Sequence, residues 1–390
     1  MRKTFIAFSA SIVGAVAIAA LGSHVATAQS PKPAAAKATT QQPAVARPAA
    51  AKPAIKRTAD GHPDFSGMYN IETMTPLSRP AGIKNLVLTP EEAAAAEKYE
   101  AERQQHNDAS LDPNRGAPPV GGERTQPKSY LEFLEQAGGG VVGGYNHFWL
   151  SEGSKMITVD GQKRSSIVID PPDGHVPAMK DGARARNARL RAASVDPSAA
   201  ENAPAGPAGA FDGPELRPLA ERCLLGFGST SGPPILPNYF YNNLHQIVQT
   251  PTQVMILTEM VHDARVVRMN AEHLPPTIRK WMGDSVGRWD GDTLVVDTTN
   301  FTEKTQFNGS GPNLHIVERF TRVDPKTLLY RFTVEDPDTW DHAWTGEYPW
   351  PATGDKLYEY ACAEGNYALG DMLRGARAAE REAASKSEKK

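Results

Sequence analysis

The side chains able to do acid–base chemistry gather in one stretch of the chain, between Tyr241 and Glu347. Tyr241-Asn242-Asn243 leads into a run of alternating residues, and Glu259 with His262-Asp263-Ala264-Arg265 closes the next one. Imidazole titrates near neutral pH, which makes His262 and His315 candidate proton handlers, with Asp263 orienting His262. Arg265 or Arg319 could neutralise a developing oxyanion. Trp340, His342, Trp344 and Tyr348 fall on one side of the chain if that stretch is extended. Such an aromatic wall beside carboxylates suits a sugar or phenolic ring, part apolar face and part hydroxyl edge. We therefore take His262, Asp263 and His315 as candidate catalytic residues. The candidate ligand-binding residues are Tyr241, Asn242, Asn243, Glu259, Arg265, Arg319, Trp340 and Trp344. Tyr241, Asn243, His262, Asp263, Arg265, His315 and Arg319 are expected to line a single polar pocket.

Each of these signals has a plainer reading. His262-Asp263 can be the tight turn of a hairpin, where Asp bonds its own backbone. Arg319 with Glu318 or Glu335 can be a cross-strand ion pair on a solvated face. The Trp row can be core packing. Named motifs narrow the field by failing. Gly228-Ser229-Thr230-Ser231-Gly232 has nucleophile-elbow spacing, but Thr230 takes the nucleophile place. Gly226-Phe227-Gly228 lacks the third glycine of a dinucleotide loop. No HExxH, P-loop or CxxC occurs, and His315-Ile316-Val317-Glu318 in a strand sends its two ligand types to opposite faces. We expect no cofactor and no metal ligand set, metal binding by the same His and carboxylates being a third possibility.

The elements that must position these groups have a period of two. Gln246–Gln249, Val254–Thr258, Arg265–Arg268, Thr293–Thr298, His315–Val323 and Leu328–Glu335 read as short strands punctuated by turn residues. Met156–Val159 and Ser166–Ile169 read as a hairpin about Asp160-Gly161, and Lys356–Tyr360 closes the series. The expected fold is all-β and mainly antiparallel, a meander closing into a barrel or sandwich, lipocalin-like by analogy. Helices are few and peripheral. Thr89-Pro90-Glu91-Glu92 caps one that runs to about Gln105, Tyr130–Ala137 forms another, and Ile278–Met282 forms a short turn.

Composition divides the chain. Residues 1–57 hold eight Lys/Arg and no acid, so 34 Lys/Arg face all 45 acids in the rest. An acidic body argues against nucleic acid as partner. Residues 1–28 read as a signal peptide: Arg2 and Lys3, an apolar run, then Ala26-Thr27-Ala28, with cleavage before Gln29. No other apolar run is long enough for a transmembrane span. Residues 29–57 read as a disordered Ala/Pro/Lys-rich linker whose positive charges suit weak envelope association. A single β-rich domain covers 58–373, with a low-complexity insertion at 178–215, and 374–390 is a charged tail. Cys223 and Cys362 are an even pair in an exported chain, which favours a disulfide between them.

Glu221-Arg222-Cys223-Leu224, Glu259-Met260-Val261-His262-Asp263-Ala264-Arg265 and Trp289-Asp290-Gly291-Asp292-Thr293-Leu294-Val295-Val296-Asp297 resemble strings of a family of exported, functionally uncharacterised β-rich proteins of soil and aquatic bacteria. The likeness spans roughly Pro214 to Arg377, with Asp60-Gly61-His62-Pro63-Asp64-Phe65-Ser66-Gly67 as its start. It implies a bacterial exported protein, periplasmic or secreted, and carries no catalytic residue across. Two functions follow from the residues. One is a metal-independent acid–base lyase or hydrolase on a small hydroxylated, glycosidic or phenolic compound. The other is a non-catalytic periplasmic or envelope protein that binds such a ligand.

Overall fold

The computed structural model describes residues 54–108, 126–137, 151, 153–192, 211–227, 231–238 and 242–387. The expected signal peptide, nearly all of the linker, the middle of the insertion and Tyr241 lie outside the described residues. In chain order the elements are β1 (Gly67–Asn70), α1 (Pro90–Asp108), α2 (Tyr130–Ala137), β2 (Thr158–Val159), β3 (Gln162–Lys163), β4 (Val168–Asp170) and α3 (Asp181–Ala192). Then follow β5 (Leu244–Gln249), β6 (Gln253–Thr258), β7 (Ala264–Met269), β8 (Asp284–Asp290), β9 (Thr293–Thr299), β10 (His315–Asp324), β11 (Thr327–Glu335), β12 (Trp344–Pro351) and α4 (Tyr367–Ser387).

Ten strands make one curled sheet in the order β1-β5-β6-β7-β8-β9-β10-β11-β12-β4, and β2 with β3 makes a separate hairpin. From β5 to β12 each strand pairs with the next in sequence, because most connections are too short to do anything else. The sheet is a half-barrel of the all-β kind. The Tyr69–Ala352 bridge and the hydrogen bond from Thr353 N to Met68 O bring β1 against the end of β12.

Alternation decides which side chains are inside. On β11, Leu328, Tyr330, Phe332 and Val334 are fully buried while Arg331 and Glu335 are exposed. On β12 the buried set is Trp344, Gly346, Tyr348 and Trp350. Tyr330 meets Trp350 at 5.2 Å and Tyr348 edge-on at 5.4 Å, so the interior of the sheet is an aromatic core. Gly346 is required there: a Cβ would lie 2.3 Å from the Phe332 ring.

Several expectations need correction. β8 and β1 went unrecognised, and Lys356–Tyr360 forms no strand. Val168–Asp170 pairs with β12 rather than completing the hairpin with Met156–Val159. Ile278–Met282 is not helical, because its backbone is committed to the segment just after β9: Lys280 N donates to Asn300 O (2.9 Å) and Lys280 O accepts from Thr302 N (3.1 Å). The helices expected after Thr89 and at Tyr130–Ala137 do form. Thr89 and Glu92 exchange hydrogen bonds of 3.2 and 2.9 Å, the reciprocal cap that starts α1.

Candidate functional site

The sheet sorts the candidate residues by face. Arg265 on β7 points to the buried side, where Glu318 on β10 takes both its Nη atoms, the longer contact being 2.8 Å. The Tyr330 hydroxyl donates to the same carboxylate at 2.9 Å. Burial alone would lower the Arg265 guanidinium, but the charge of Glu318 outweighs it and raises it. His245, opposite Thr258 on the same face, is buried and neutral, with burial pushing its imidazole down to about 4.

His315 and Arg319 occupy the other face of the sheet. His315 Nε2 meets Asp297 Oδ2 at 3.1 Å and Nδ1 lies 3.6 Å from Glu335, while Asp297 Oδ1 meets His273 Nε2 at 2.9 Å. The hydrogen bond to Asp297 raises the His315 imidazole despite its partial burial. Arg319 pairs with Asp290 at 2.6 Å near solvent. His315 and Arg319 therefore cannot share a pocket with Arg265, because β10 alternation separates them. Asn243 is buried and spent on the loop, donating to Asn238 O (2.7 Å) and Ser151 O (3.0 Å). Asn242 is a half-buried residue with φ of +62°, and Glu259 is buried, accepting from Tyr358 N at 3.1 Å. Trp340 and Trp344 pack edge-on at 5.9 Å in the core and offer no face to a ligand, which corrects their reading as an aromatic wall.

The Asp263 and Arg265 pair survives this sorting. β7 and β8 run parallel and pair only through Arg268–Val286 and Met269–Gly287. Upstream of those pairs the strands part. Ala264–Val266 on one side and Lys280–Gly283 on the other border a cavity of about 330 Å³, completed by Leu224 and Asp263. That volume lies at the lower end of small-ligand sites. Gly283 makes the wall possible: its φ is +68°, and a Cβ would sit 2.6 Å from Thr299 O.

Asp263 reaches the cavity from an extended residue at the entry of β7, with Arg265 two residues on and thus on the same face. Ser231 is its hydrogen-bond partner, and Oδ2 is buried without one. Burial dominates and pushes the carboxyl up to about 6, against the smaller lowering effects of Ser231 and His262. His262 is exposed beside it. The turn that delivers Asp263 is strained: Val261 has φ of +61° and His262 φ of +47°. A β-branched residue at positive φ is an outlier that persists only where its surroundings enforce it, and such outliers cluster at functional sites.

The opposite wall is held by Asp284, which is almost fully buried. Its carboxylate takes Lys280 Nζ (3.0 Å), Arg268 Nη2 (2.8 Å), Leu274 N (2.9 Å) and His273 Nδ1 (3.3 Å). Burial would raise this acid, yet the hydrogen bonds from Leu274, Lys280 and His273 win and bring it to about 2. Sequence reasoning missed Lys280, Trp281 and Asp284, because Ile278–Met282 was taken for a helical turn. Among the described residues, no group of three or more His, Cys, Asp or Glu is placed to hold a metal ion. Comparison with family models, curated proteins and solved structures finds no match to this chain.

Proposed function

We propose that the protein is an exported enzyme acting on a small hydroxylated, glycosidic or phenolic compound. The β7–β8 cavity is the reaction centre, and Asp263 gives and takes the proton of a lyase or hydrolase step without help from a metal. One observation carries this reading. A carboxyl that titrates near 6 stands in a cavity with one oxygen unpartnered, delivered by a strained turn. Trp281 and the apolar Leu224, Val266 and Met282 supply the face for a ring, and His262, next in the chain to Asp263, is exposed to solvent. Its exported location is supported by the Cys223–Cys362 disulfide, and among the described residues no helix is long and apolar enough to cross a membrane. The family resemblance belongs to the same proposal.

A binding protein is the second reading, favoured by the cavity holding a single group tuned near neutral pH where acid–base catalysis commonly uses two. Mass-spectrometric screening of the mature chain against cell extract separates them. Loss of a compound with appearance of a product, abolished in Asp263→Asn, supports the enzyme. Retention of a compound unchanged supports the binder. A turnover untouched by Asp263→Asn would falsify the assignment of this cavity. Intact-mass analysis of the exported protein should give Gln29 as its first residue.

A further inference from the structure

We propose that the compound taken by the β7–β8 cavity is a small ring carboxylate, its oxygens held by Arg265 Nε–H and the Lys280 ammonium and its ring against Trp281. This rests on the preceding reading of the cavity as the ligand site and adds the ligand's charge. Three observations point to an anion. Both Nη atoms of Arg265 are taken by Glu318, and its Nε is buried without a partner although the residue lines the cavity. A buried donor left unmet is unfavourable, so an acceptor from the ligand is the natural complement. Two residues away on the same strand face, Asp263 Oδ2 is likewise buried and unmet. Across the gap, Lys280 shares the carboxylate of Asp284 with Arg268. Lys280 lines the same cavity, and a ligand carboxylate would give its ammonium a second partner.

The protonation of Asp263 gives the proposal a sign. Below about 6 the neutral carboxyl can donate from Oδ2 to a ligand carboxylate; above it the ionised group repels one. Benzoate, benzyl alcohol and benzylamine test this, since they differ in charge and hardly in size. Titration into the mature chain should show benzoate binding at pH 5.5 at least about tenfold tighter than benzyl alcohol, with benzylamine weakest. Raising the pH to 7.5 should weaken benzoate about tenfold, within the limit of tenfold per unit for one linked proton. Lys280→Met should lose about tenfold in benzoate affinity, and Arg331→Ala, on the outer face away from the cavity, should lose nothing. Because Arg265 is needed for the interior ion pair, its part is read without substitution. The Arg265 Nε–H and Trp281 indole NMR signals should both shift on adding benzoate. Benzyl alcohol binding as tightly as benzoate, with Asp263 still required, would overturn the anionic ligand and leave the proposed function standing. No shift at Trp281 with any of the three compounds would overturn both.

Discussion

Asp263 carries a stability cost that its proposed role would explain. Its folded pKa of about 6 lies above the ordinary 3.8, so the folded state favours the protonated form. Stability is then fullest below pH 3.8 and falls as pH rises through 6, reaching its lower plateau above that. The shift corresponds to about 3 kcal/mol at most, and partial exposure reduces this to roughly 1–2 kcal/mol. Asp263→Asn keeps the size and removes the charge. It should raise the unfolding free energy by that amount at pH 8 and leave it unchanged at pH 3.5, as urea midpoints would register. His245 has the opposite sign. Its folded pKa of about 4 lies below the ordinary 6.5, so its contribution is whole above 6.5 and is lost as pH falls toward 4. At pH 4.5 the loss is about 2–3 kcal/mol for a fully buried imidazole. His245→Phe beside Trp350 should flatten that acid slope, and Asn243 O keeps a partner in Ile71 N. Equal slopes in the two proteins would show that another group sets the acid limb. Asp263 could be picked from its sequence neighbours, whereas His245 could not, since its environment is made by strands far along the chain.

At the scale of elements, the long strands β10 and β11 were legible, while β1, β8 and the one departure from antiparallel order were not. Alternation marks β10 and β11 because each buries one face only. The β7–β8 seam is different: fourteen residues from Asn270 to Gly283 connect those strands, long enough for a parallel return, and local pattern does not reveal which edge the return takes. Proline and helix-forming residues at Pro275–Met282 argued for a helical turn, and tertiary pairing to Asn300 and Thr302 overrode them. The cavity exists because this segment is held to β9's end and not to β7. Gly283 is where that arrangement is most exposed to test. Gly283→Ala places a Cβ against Thr299 O and Thr298 Cγ2, at a φ that alanine adopts poorly. A loss of about 2–3 kcal/mol is expected from strain and displacement together. Amide exchange should quicken at Lys280 and Leu274, whose hydrogen bonds hold the wall, while β10 and β11 keep their protection. Uniform acceleration across the sheet would mean the wall is not a separate unit.

At the scale of the whole molecule, the mainly antiparallel half-barrel and its cross-link could both be anticipated, because short strands at turn spacing and two cysteines constrain the chain strongly. The division of the expected pocket residues between two faces could not, since one residue of register decides which face a side chain takes and sequence leaves that register open. The cross-link joins Cys223, next to Leu224 of the cavity, to Cys362 in the segment after β12. That segment is also held by Tyr358 N on Glu259 Oε1 and by Asn366 Nδ2 on Glu221 O (2.6 Å). Two effects of reduction compete. If the segment only frays, the sheet unfolds as before and the change is local. If the bond restrains the denatured chain, its separation of 139 residues means a large loop is released, worth about 5 kcal/mol on the chain-entropy model. The second should dominate, because the loop contains every strand from β5 to β12 and their pairing is what denaturation undoes. Cys223→Ser with Cys362→Ser should therefore unfold about 10 °C lower than the oxidised protein. Reductant should bring the unsubstituted chain to the same point and leave the double variant where it is. A fall of only a degree or two would show that fraying wins and that the bond serves the neighbourhood of Leu224 and Glu259 alone. Benzoate affinity, followed in the same samples, should then drop while the melting point holds.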